Sequence, residues 1–441
     1  MFAGSALGFL HTRVTISASC ARHGMPHPGP RSYDGDASSR RSPIAPKSTG
    51  LFMPASCSHR RMPLGTLAVL ALLLASAAVA RAASYRATPL LLHDATTSPL
   101  PAGAGAQHFH TYLDASGILF LSANTIAEYV LHAPENNLLV RDGRQVTNSY
   151  LLTISLFDID QKRLISHTDV PVPGKFVRVF RSAHGGLLLV THSWIAALSP
   201  SLETIRQVPI DPRFGTAVVA SDTDIDDAHL YLTGESSDGC PKLAEQLNAA
   251  SLATENSWCF QDDAPTAFYR TTALQFHAKA GADLHVFRDG RALTQLKPPS
   301  LFATTQAIPL SSQAFLLTNG VALINYSLDT GLDFFSSPAK HGLLASPIHC
   351  SVSATTCAAA LAIPKADPLV LSLTTTYKRI DLVTFDTVNG RLHSRHSILA
   401  LFKRPTHVSL NDFSDLRVAL APHGERAAAW HGSTWVVFNI H

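Results

Sequence analysis

Signatures of catalysis and cofactor binding are missing from this chain of 441 residues. It has no Gly-x-Ser-x-Gly motif, and no Ser-x-x-Lys motif with the partner residues that a nucleophilic hydrolase requires. It has no Cys-x-x-Cys pair for a redox or metal site, and no glycine-rich loop opens a helix as in a phosphate-binding loop. We therefore predict no catalytic residues and no bound cofactor.

Charge and cysteine are also scarce. Charged residues make up 15% of the chain, hydrophobic residues make up 46%, and there are 6 Cys, 25 Gly and 27 Pro. This composition excludes a wholly disordered chain, a collagen-like repeat and a disulfide-packed miniprotein. The net charge of +3 comes from residues 1–82, which hold nine basic and two acidic residues, and residues 83–441 have a net charge of −4. A basic nucleic-acid-binding surface is therefore not expected.

The first eighty residues have the pattern of a leader and a signal peptide. Residues 1–52 are rich in Ser, Arg, Pro and Gly without a hydrophobic period, which predicts a disordered or untranslated segment. Arg60 and Arg61 then precede the apolar run 64–80, which small residues follow. Residues 53–82 therefore match a secretory signal peptide.

The signal prediction leaves two details open. Cleavage after Ala82 and cleavage after Ala80 both fit the small-residue rule. An uncleaved anchor is the alternative, because about 17 apolar residues are at the short limit for a spanning helix. Translation from Met53 would place the signal at the N-terminus. We expect a periplasmic or extracellular protein that consists of residues 83–441, with no membrane span after cleavage.

Four cysteines follow the signal: Cys240, Cys259, Cys350 and Cys357. An even number in an exported chain predicts two structural disulfides. Three pairings are possible, and the sequence-local one, Cys240–Cys259 with Cys350–Cys357, needs the least prior ordering of the chain. A redox or metal role is disfavoured, because the cysteines lack the spacing of such sites.

Short apolar segments dominate the region from residue 107 onward. The best candidate for a helix, Cys240 to Leu252, is short, and elsewhere runs of 4–8 residues rich in Val, Leu, Ile, Phe and Thr alternate with Gly, Pro, Asp and Ser. Such spacing predicts an all-β sandwich, barrel or propeller. The clearest predicted strands are 117–122, 151–157, 186–191, 230–233, 314–318, 321–326, 369–374, 380–385 and 434–440.

A recurring hairpin distinguishes among these folds. An apolar run followed by a small or polar residue and a turn repeats with anchors at residues 157, 198, 250, 287, 326, 385 and 438. The mean spacing of about 47 residues is that of a four-stranded propeller blade, and seven anchors predict seven blades, with an error of about one. Because the last copy ends without an outer strand, we expect Tyr85 to His93 to supply that strand and close the ring.

The hairpin resembles one known superfamily. The pattern in Phe385-Asp386-Thr387-Val388-Asn389-Gly390, and in Tyr326 to Gly331, is similar to the hairpin of bacterial YVTN-type and WD-repeat-like β-propellers. The resemblance covers roughly residues 107–441. It implies a propeller of a superfamily whose members serve mostly as binding platforms, with a minority of lactonases, other hydrolases and dehydrogenases.

Candidate metal ligands are few. Asp222, Asp224 and Asp226 alternate as Ca²⁺ ligands can, but an EF-type loop needs Gly at position 227 and Glu at position 233. We therefore favour an exposed acidic turn and no bound Ca²⁺.

Two histidine pairs and four tryptophans are further candidates for ligand-binding groups. His108 with His110, and His393 with His396, lack a third ligand, so rim positions are favoured over a metal site. For Trp194, Trp258, Trp430 and Trp435, packing in blade cores is favoured over a sugar-binding platform.

The sequence thus predicts an exported, monomeric, non-catalytic propeller that binds a protein, peptide or glycan on its rim or channel face. One alternative is a lactonase-like or other hydrolase that uses the central channel. Another is a structural scaffold in an envelope complex. An enzyme should bring carboxylates or histidines from several blades together with shifted pKa values.

Overall fold

The computed structural model describes residues 88–98, 109–134, 150–215, 220–223, 226–300, 302–335, 342–364, 377–402, 413 and 415–440. Contacts divide the chain into two units, 1–63 and 64–441, and every described residue belongs to the second. The predicted leader (1–52) and signal peptide (53–82) lie outside the described residues.

The described residues form seven antiparallel sheets, the blades of a β-propeller, and contain no α-helix. Strand β1 (Leu91–Asp94) belongs to the last blade. Blade 1 consists of β2 (Phe109–Phe120), β3 (Thr125–Pro134), β4 (Tyr150–Asp158) and β5 (Arg163–Val172), and blade 2 consists of β6 (Val177–Arg181), β7 (Leu187–Thr191), β8 (Trp194–Leu198) and β9 (Thr204–Pro209). Blade 3 consists of β10 (Ala220–Thr223), β11 (His229–Gly234), β12 (Lys242–Asn248) and β13 (Thr254–Phe260), and blade 4 consists of β14 (Thr266–Tyr269), β15 (Thr272–Gln275), β16 (Leu284–Arg288) and β17 (Arg291–Leu296).

Blades 5 to 7 complete the ring, and blade 6 splits its first strand into two short pieces. Blade 5 consists of β18 (Gln306–Pro309), β19 (Ala314–Thr318), β20 (Leu323–Ser327) and β21 (Gly331–Phe335). Blade 6 consists of β22 (Leu343–Leu344), β23 (His349–Cys350), β24 (Thr356–Pro364), β25 (Tyr377–Asp386) and β26 (Leu392–Ser397). Blade 7 consists of β27 (Arg417–Leu420), β28 (Arg426–His431) and β29 (Thr434–Asn439), with β1 as its fourth strand. Short 3₁₀ turns span Ala95–Thr97, Pro212–Phe214 and Leu399–Phe402.

The predicted blade count and strand order are confirmed. Each of the seven hairpin anchors lies in, or within two residues of, the third strand of a blade, which are β4, β8, β12, β16, β20, β25 and β29. The Asp158 and Asp386 turns then lead into the fourth strand, as the repeat predicts.

The core consists of seven separate apolar clusters, one at each interface between neighbouring blades. One of them joins blade 7 to blade 1, where Trp435 packs with Phe157. Since every blade is covered on both faces, its inner strands are apolar on both faces. In β7, for example, all five residues are buried. Clusters at all seven interfaces mean that the ring is closed.

The best helix candidate, the segment from Cys240 to Leu252, does not form a helix. Residues Lys242–Asn248 form β12, the third strand of blade 3, and its five central residues are all buried. Because both faces of this strand pack against other blades, its apolar residues do not alternate with polar ones. Periodicity alone does not separate such a strand from a short buried helix.

The ring is closed by a strand from the N-terminal side, as predicted. Strand β1 pairs antiparallel with β29, with Leu91 opposite Val437. Just beyond β1, the Ser98 hydroxyl donates to the buried Glu128 of blade 1 at 2.5 Å, and Trp435 Nε1 of blade 7 donates to the other carboxylate oxygen at 2.9 Å. Burial raises the pKa of Glu128 and these two donors oppose that rise. One carboxyl group therefore links β1, blade 7 and blade 1.

Candidate functional site

The first strands of the blades surround a central channel that encloses a cavity of about 500 Å³. Described residues from six of the seven blades line it, and they belong chiefly to β2, β6, β10, β18, β23 and β27. A cavity of this size holds a small organic ligand or the end of a larger one. The channel is therefore the place where side chains far apart in sequence come together.

Three arginines line this channel: Arg178, Arg181 and Arg417. Arg178 and Arg181 lie on β6, where the flanking Val177 and Val179 are buried. Arg178 Nη1 donates to the Val177 carbonyl oxygen at 3.2 Å, and Arg417 Nη1, at the start of β27, donates to the Leu416 carbonyl oxygen at 3.3 Å. Contacts to its own strand thus help to orient each of these two side chains.

Asp227 is the one acidic residue among the described residues of the channel wall. Its Oδ2 lies 2.5 Å from Arg181 Nε, and the two side chains are 10% and 14% exposed. Asp227 has φ of +57°, a conformation that Asp adopts more readily than most residues. The turn before β11 therefore directs this carboxylate to Arg181.

His349 reaches the channel from blade 6. The His349 side chain is exposed to the channel. Desolvation by the protein atoms of the channel wall, together with the positive charges of Arg417 and Arg181, lowers its pKa to about 4. The adjacent Cys350 also lines the channel and is opposite Cys357 in the β23–β24 pair. The sulfur atoms of these two cysteines are at bonding distance. This link fixes the two-residue strand that carries His349.

Tyr129 reaches the channel from a second strand. A Cβ on Gly117 of β2 would lie 2.7 Å from the Tyr129 hydroxyl oxygen, so the glycine leaves the space that the phenol occupies. Burial raises the pKa of Tyr129, and the nearby charges of Arg417 and Arg178 oppose that rise. Arg417 is therefore close enough to influence both Tyr129 and His349.

A second charged cluster, the acidic corner, lies outside the channel and consists of Asp211, Arg213 and Glu245. Arg213 Nη2 donates to Glu245 Oε1 at 2.5 Å and to Asp211 Oδ2 at 3.1 Å. The Glu245 side chain is 1% exposed. Burial, together with the neighbouring Asp211, raises the pKa of Glu245 to about 7, while hydrogen bonding to Arg213 lowers the pKa of Asp211.

The predicted exposed acidic turn is only partly correct. Asp226 Oδ2 lies 3.5 Å from Arg270 Nη2, and Asp227, next to it, is buried against Arg181. Asp224 and the side chain of Asp222 lie outside the described residues. No group of three or more His, Cys, Asp or Glu that could hold a metal ion occurs in the described part of the chain.

The other candidate ligand groups occupy different places in the blades. His393 and His396 lie three apart on β26, where His393 is exposed and His396 is half-buried. His396 stacks on Phe438 at 4.4 Å. His108 and the side chain of His110 lie outside the described residues. Trp258, Trp430 and Trp435 are buried in blade cores, and Trp194 is half-buried against the blade 1–blade 2 cluster.

The cysteines follow the sequence-local pairing. The sulfur atoms of Cys240 and Cys259 are at bonding distance, as are those of Cys350 and Cys357. The first pair joins the segment before β12 to β13 within blade 3, and the second joins β23 to β24 within blade 6. No helix in the described segments is long and apolar enough to cross a membrane.

Sequence analysis did not identify Arg178, Arg181, His349 or Arg417 as site residues. They come from three blades and span nearly 240 positions, and only ring closure brings them together. The one local signal is polar residues within apolar first strands, as in Val-Arg-Val-Phe-Arg of β6. That signal becomes informative once the first strand of each blade is known.

Comparison with known proteins finds similarity in structure alone. No protein-family model matches the sequence, and no curated protein sequence is significantly similar to it. Among solved structures, the chain is similar to the Neurospora crassa Pan2 WD40 domain, with 9% identity over 80% of this chain and 95% of that one and a TM-score of 0.47. It is also similar to the WD40 propeller of Doa1, with 10% identity over 73% of this chain and 91% of that one and a TM-score of 0.42. The Myceliophteria thermophila Cps50 (Swd1) propeller is 10% identical over 74% of this chain and 97% of that one, with a TM-score of 0.44. These values give no information on what this chain binds.

Proposed function

We propose that this chain is an exported, non-catalytic β-propeller that acts as a binding platform for a protein, peptide or glycan, with the central channel as its contact surface. The observation that supports this most is the channel itself, which gathers polar and apolar side chains from six blades around about 500 Å³. Rigid strands hold these side chains in place before a ligand arrives, which lowers the entropic cost of binding.

The chemistry of the channel wall favours binding over hydrolysis. Hydrolysis by general acid and base groups needs a carboxylate or histidine that can exchange a proton near neutral pH. The one described carboxylate of the wall, Asp227, is bonded to Arg181, and His349 has a pKa of about 4. Two cysteine pairs at bonding distance and the apolar run 64–80 support export to an oxidising compartment.

Photo-crosslinking in the native host tests this proposal. Benzoylphenylalanine replaces Phe180, a half-buried residue of the channel wall, in the full chain. The matched control carries the same group at Ile205 on β9, which is 67% exposed on an outer strand. We expect one reproducible adduct from position 180 and none from position 205.

Two results would contradict the proposal. Equal capture from both positions would show that the channel is not the contact surface. Turnover of an ester or lactone by the wild-type chain that disappears in His349→Gln would show that the channel is catalytic.

A further inference from the structure

We infer that the central channel recognises an oxyanion with two or more negative charges, a phosphate or a polycarboxylate, through Arg178 and Arg417. The inference rests on the proposed function for its choice of surface and names the chemical class of the group that this surface binds. The oxyanion is either a free small molecule or an acidic segment of a partner, and the experiment below separates these sources.

The arginines lie, together with Tyr129 and His349, on one arc of the described channel wall. Going around the ring, blade 6 contributes His349, blade 7 contributes Arg417, blade 1 contributes Tyr129, and blade 2 contributes Arg178 and Arg181. Neighbouring first strands contact one another along this arc, and Arg417 influences the groups on both of its sides. Among the described residues of this arc, the charged groups are the three arginines and, at one end, Asp227. The arginines are in excess, and a protein-walled cleft concentrates their positive field on the space in front of them.

The single described carboxylate of the wall is engaged at one end of this arc. The Asp227 carboxylate forms an ion pair with Arg181 at 2.5 Å, so each of these two side chains has a partner of opposite charge. Arg178 is exposed to the channel, and its one side-chain hydrogen bond among the described residues goes to a backbone oxygen. A guanidinium group has five N–H donors in a planar fork that matches carboxylate and phosphate oxygens. Arg178 therefore has donors available for a ligand.

The remaining wall groups suit an anion as well. The Tyr129 hydroxyl is a neutral donor beside Arg178 and Arg417. Protonated His349 would add another positive charge, and an anion at the arc would make that protonation more favourable. The cavity of about 500 Å³ exceeds the needs of one phosphate group, so a ligand with two or more charged groups fits it better.

Isothermal titration of the full chain at low ionic strength tests the inference. The probes are pyrophosphate, citrate and an acetylated, amidated tetraglutamate peptide, with glucose as the neutral comparison. We expect one site per chain, and an affinity that falls about tenfold or more in Arg178→Gln and in Arg417→Gln, since each removes a charge-assisted hydrogen bond. Arg291→Gln is the matched control, because Arg291 is an exposed arginine on the outer strand β17.

The arms of the titration identify the source of the oxyanion. Binding of pyrophosphate or citrate supports a free ligand, and binding of tetraglutamate alone supports an acidic partner segment. Failure of all three probes to bind would overturn the inference, as would an equal loss of affinity in Arg291→Gln. Should Arg417→Gln fail to fold, Arg178→Gln decides, together with a rise in the pKa of His349 when pyrophosphate is added to the wild-type chain.

Failure of this inference is distinguishable from failure of the proposed function. If position 180 captures a partner but the chain binds none of the three probes, the binding-platform proposal is supported and the oxyanion inference is wrong. If the chain binds an oxyanion but captures no partner, the oxyanion inference is supported and the binding-platform proposal is wrong.

Discussion

The channel wall and the acidic corner are opposite arrangements of the same groups. In the channel, three arginines and one described carboxylate, Asp227, line the wall, and Asp227 pairs with Arg181. In the corner, the single guanidinium of Arg213 lies between the carboxyl groups of Asp211 and Glu245. The main cause of both pKa shifts is desolvation by the surrounding protein atoms, and the neighbouring charges add to it. The pKa of His349 is lowered to about 4, with a contribution from Arg417 and Arg181, and the pKa of Glu245 is raised to about 7, with a contribution from Asp211.

This contrast distinguishes a structural cluster from the proposed binding surface. In the corner, a retained proton on Glu245 can relieve the excess negative charge, so the cluster is complete without a ligand. Among the described residues of the channel wall, arginines outnumber carboxylates, and arginines do not lose their protons in proteins. A bound anion can neutralise that charge where a shift in protonation cannot.

The largest expected effect comes from breaking the ion pair of the channel. Arg181→Gln should destabilise the fold by about 3–4 kcal/mol, because it leaves the buried Asp227 without its charged partner. Urea unfolding at pH 7 measures the change. Arg178→Gln, three residues earlier on the same strand, should change stability by about 0.5 kcal/mol or less.

The double variant Arg181→Gln with Asp227→Asn provides the internal check. It should recover part of the lost stability, since neither member then leaves a buried charge unpaired. Equal destabilisation by Arg178→Gln and Arg181→Gln would mean that the two arginines do not have the different roles described above.

The second prediction concerns the corner and the pH dependence of stability. The pKa of Glu245 is raised from 4.5 to about 7 in the folded chain, so the folded state holds this proton more tightly than the unfolded state does. Its contribution is fully present below about pH 4.5 and is lost as the pH rises through 7. The loss amounts to about 3 kcal/mol. Glu245→Gln should remove this component, as urea unfolding between pH 4 and 8 would show.

The third and smallest effect concerns His349, whose pH dependence has the opposite sign. Its lowered pKa means that its contribution to stability is present above about pH 6.5 and is lost as the pH falls through 4. Arg417→Gln should raise the pKa of His349, because it removes a neighbouring positive charge. An NMR titration of the His349 ring measures this directly. An unchanged pKa in Arg417→Gln would place Arg417 too far away to act with His349 on one ligand.

The fold was predictable because its signal is local and repeated. Hairpins such as Phe385 to Gly390 mark the ends of third strands, and the missing outer strand of the last copy points to closure by the N-terminal side. The segment from Cys240 to Leu252 was a helix candidate because Leu243, Ala244 and Leu247 do not alternate with polar residues. All three are buried in one strand.

The site was not predictable in the same way. Arg178 and Arg417 are unremarkable on their own strands, and their proximity depends on the angle at which seven blades close. The acidic run at Asp226 and Asp227 attracted attention because its charges adjoin in sequence. In the structure those carboxylates face different arginines, Arg270 and Arg181. Adjacency in sequence was therefore a poor guide to convergence in space.

The pairing of β1 with β29 also has a consequence for how the chain is synthesised. Leu91 pairs with Val437, which is synthesised almost 350 residues later. Contacts so distant in sequence form slowly. Until that partner is available, blade 7 has an open edge and blade 1 lacks its neighbour. A nascent chain would therefore remain an unclosed row of blades throughout most of its synthesis, and ring closure would be among the last events of folding.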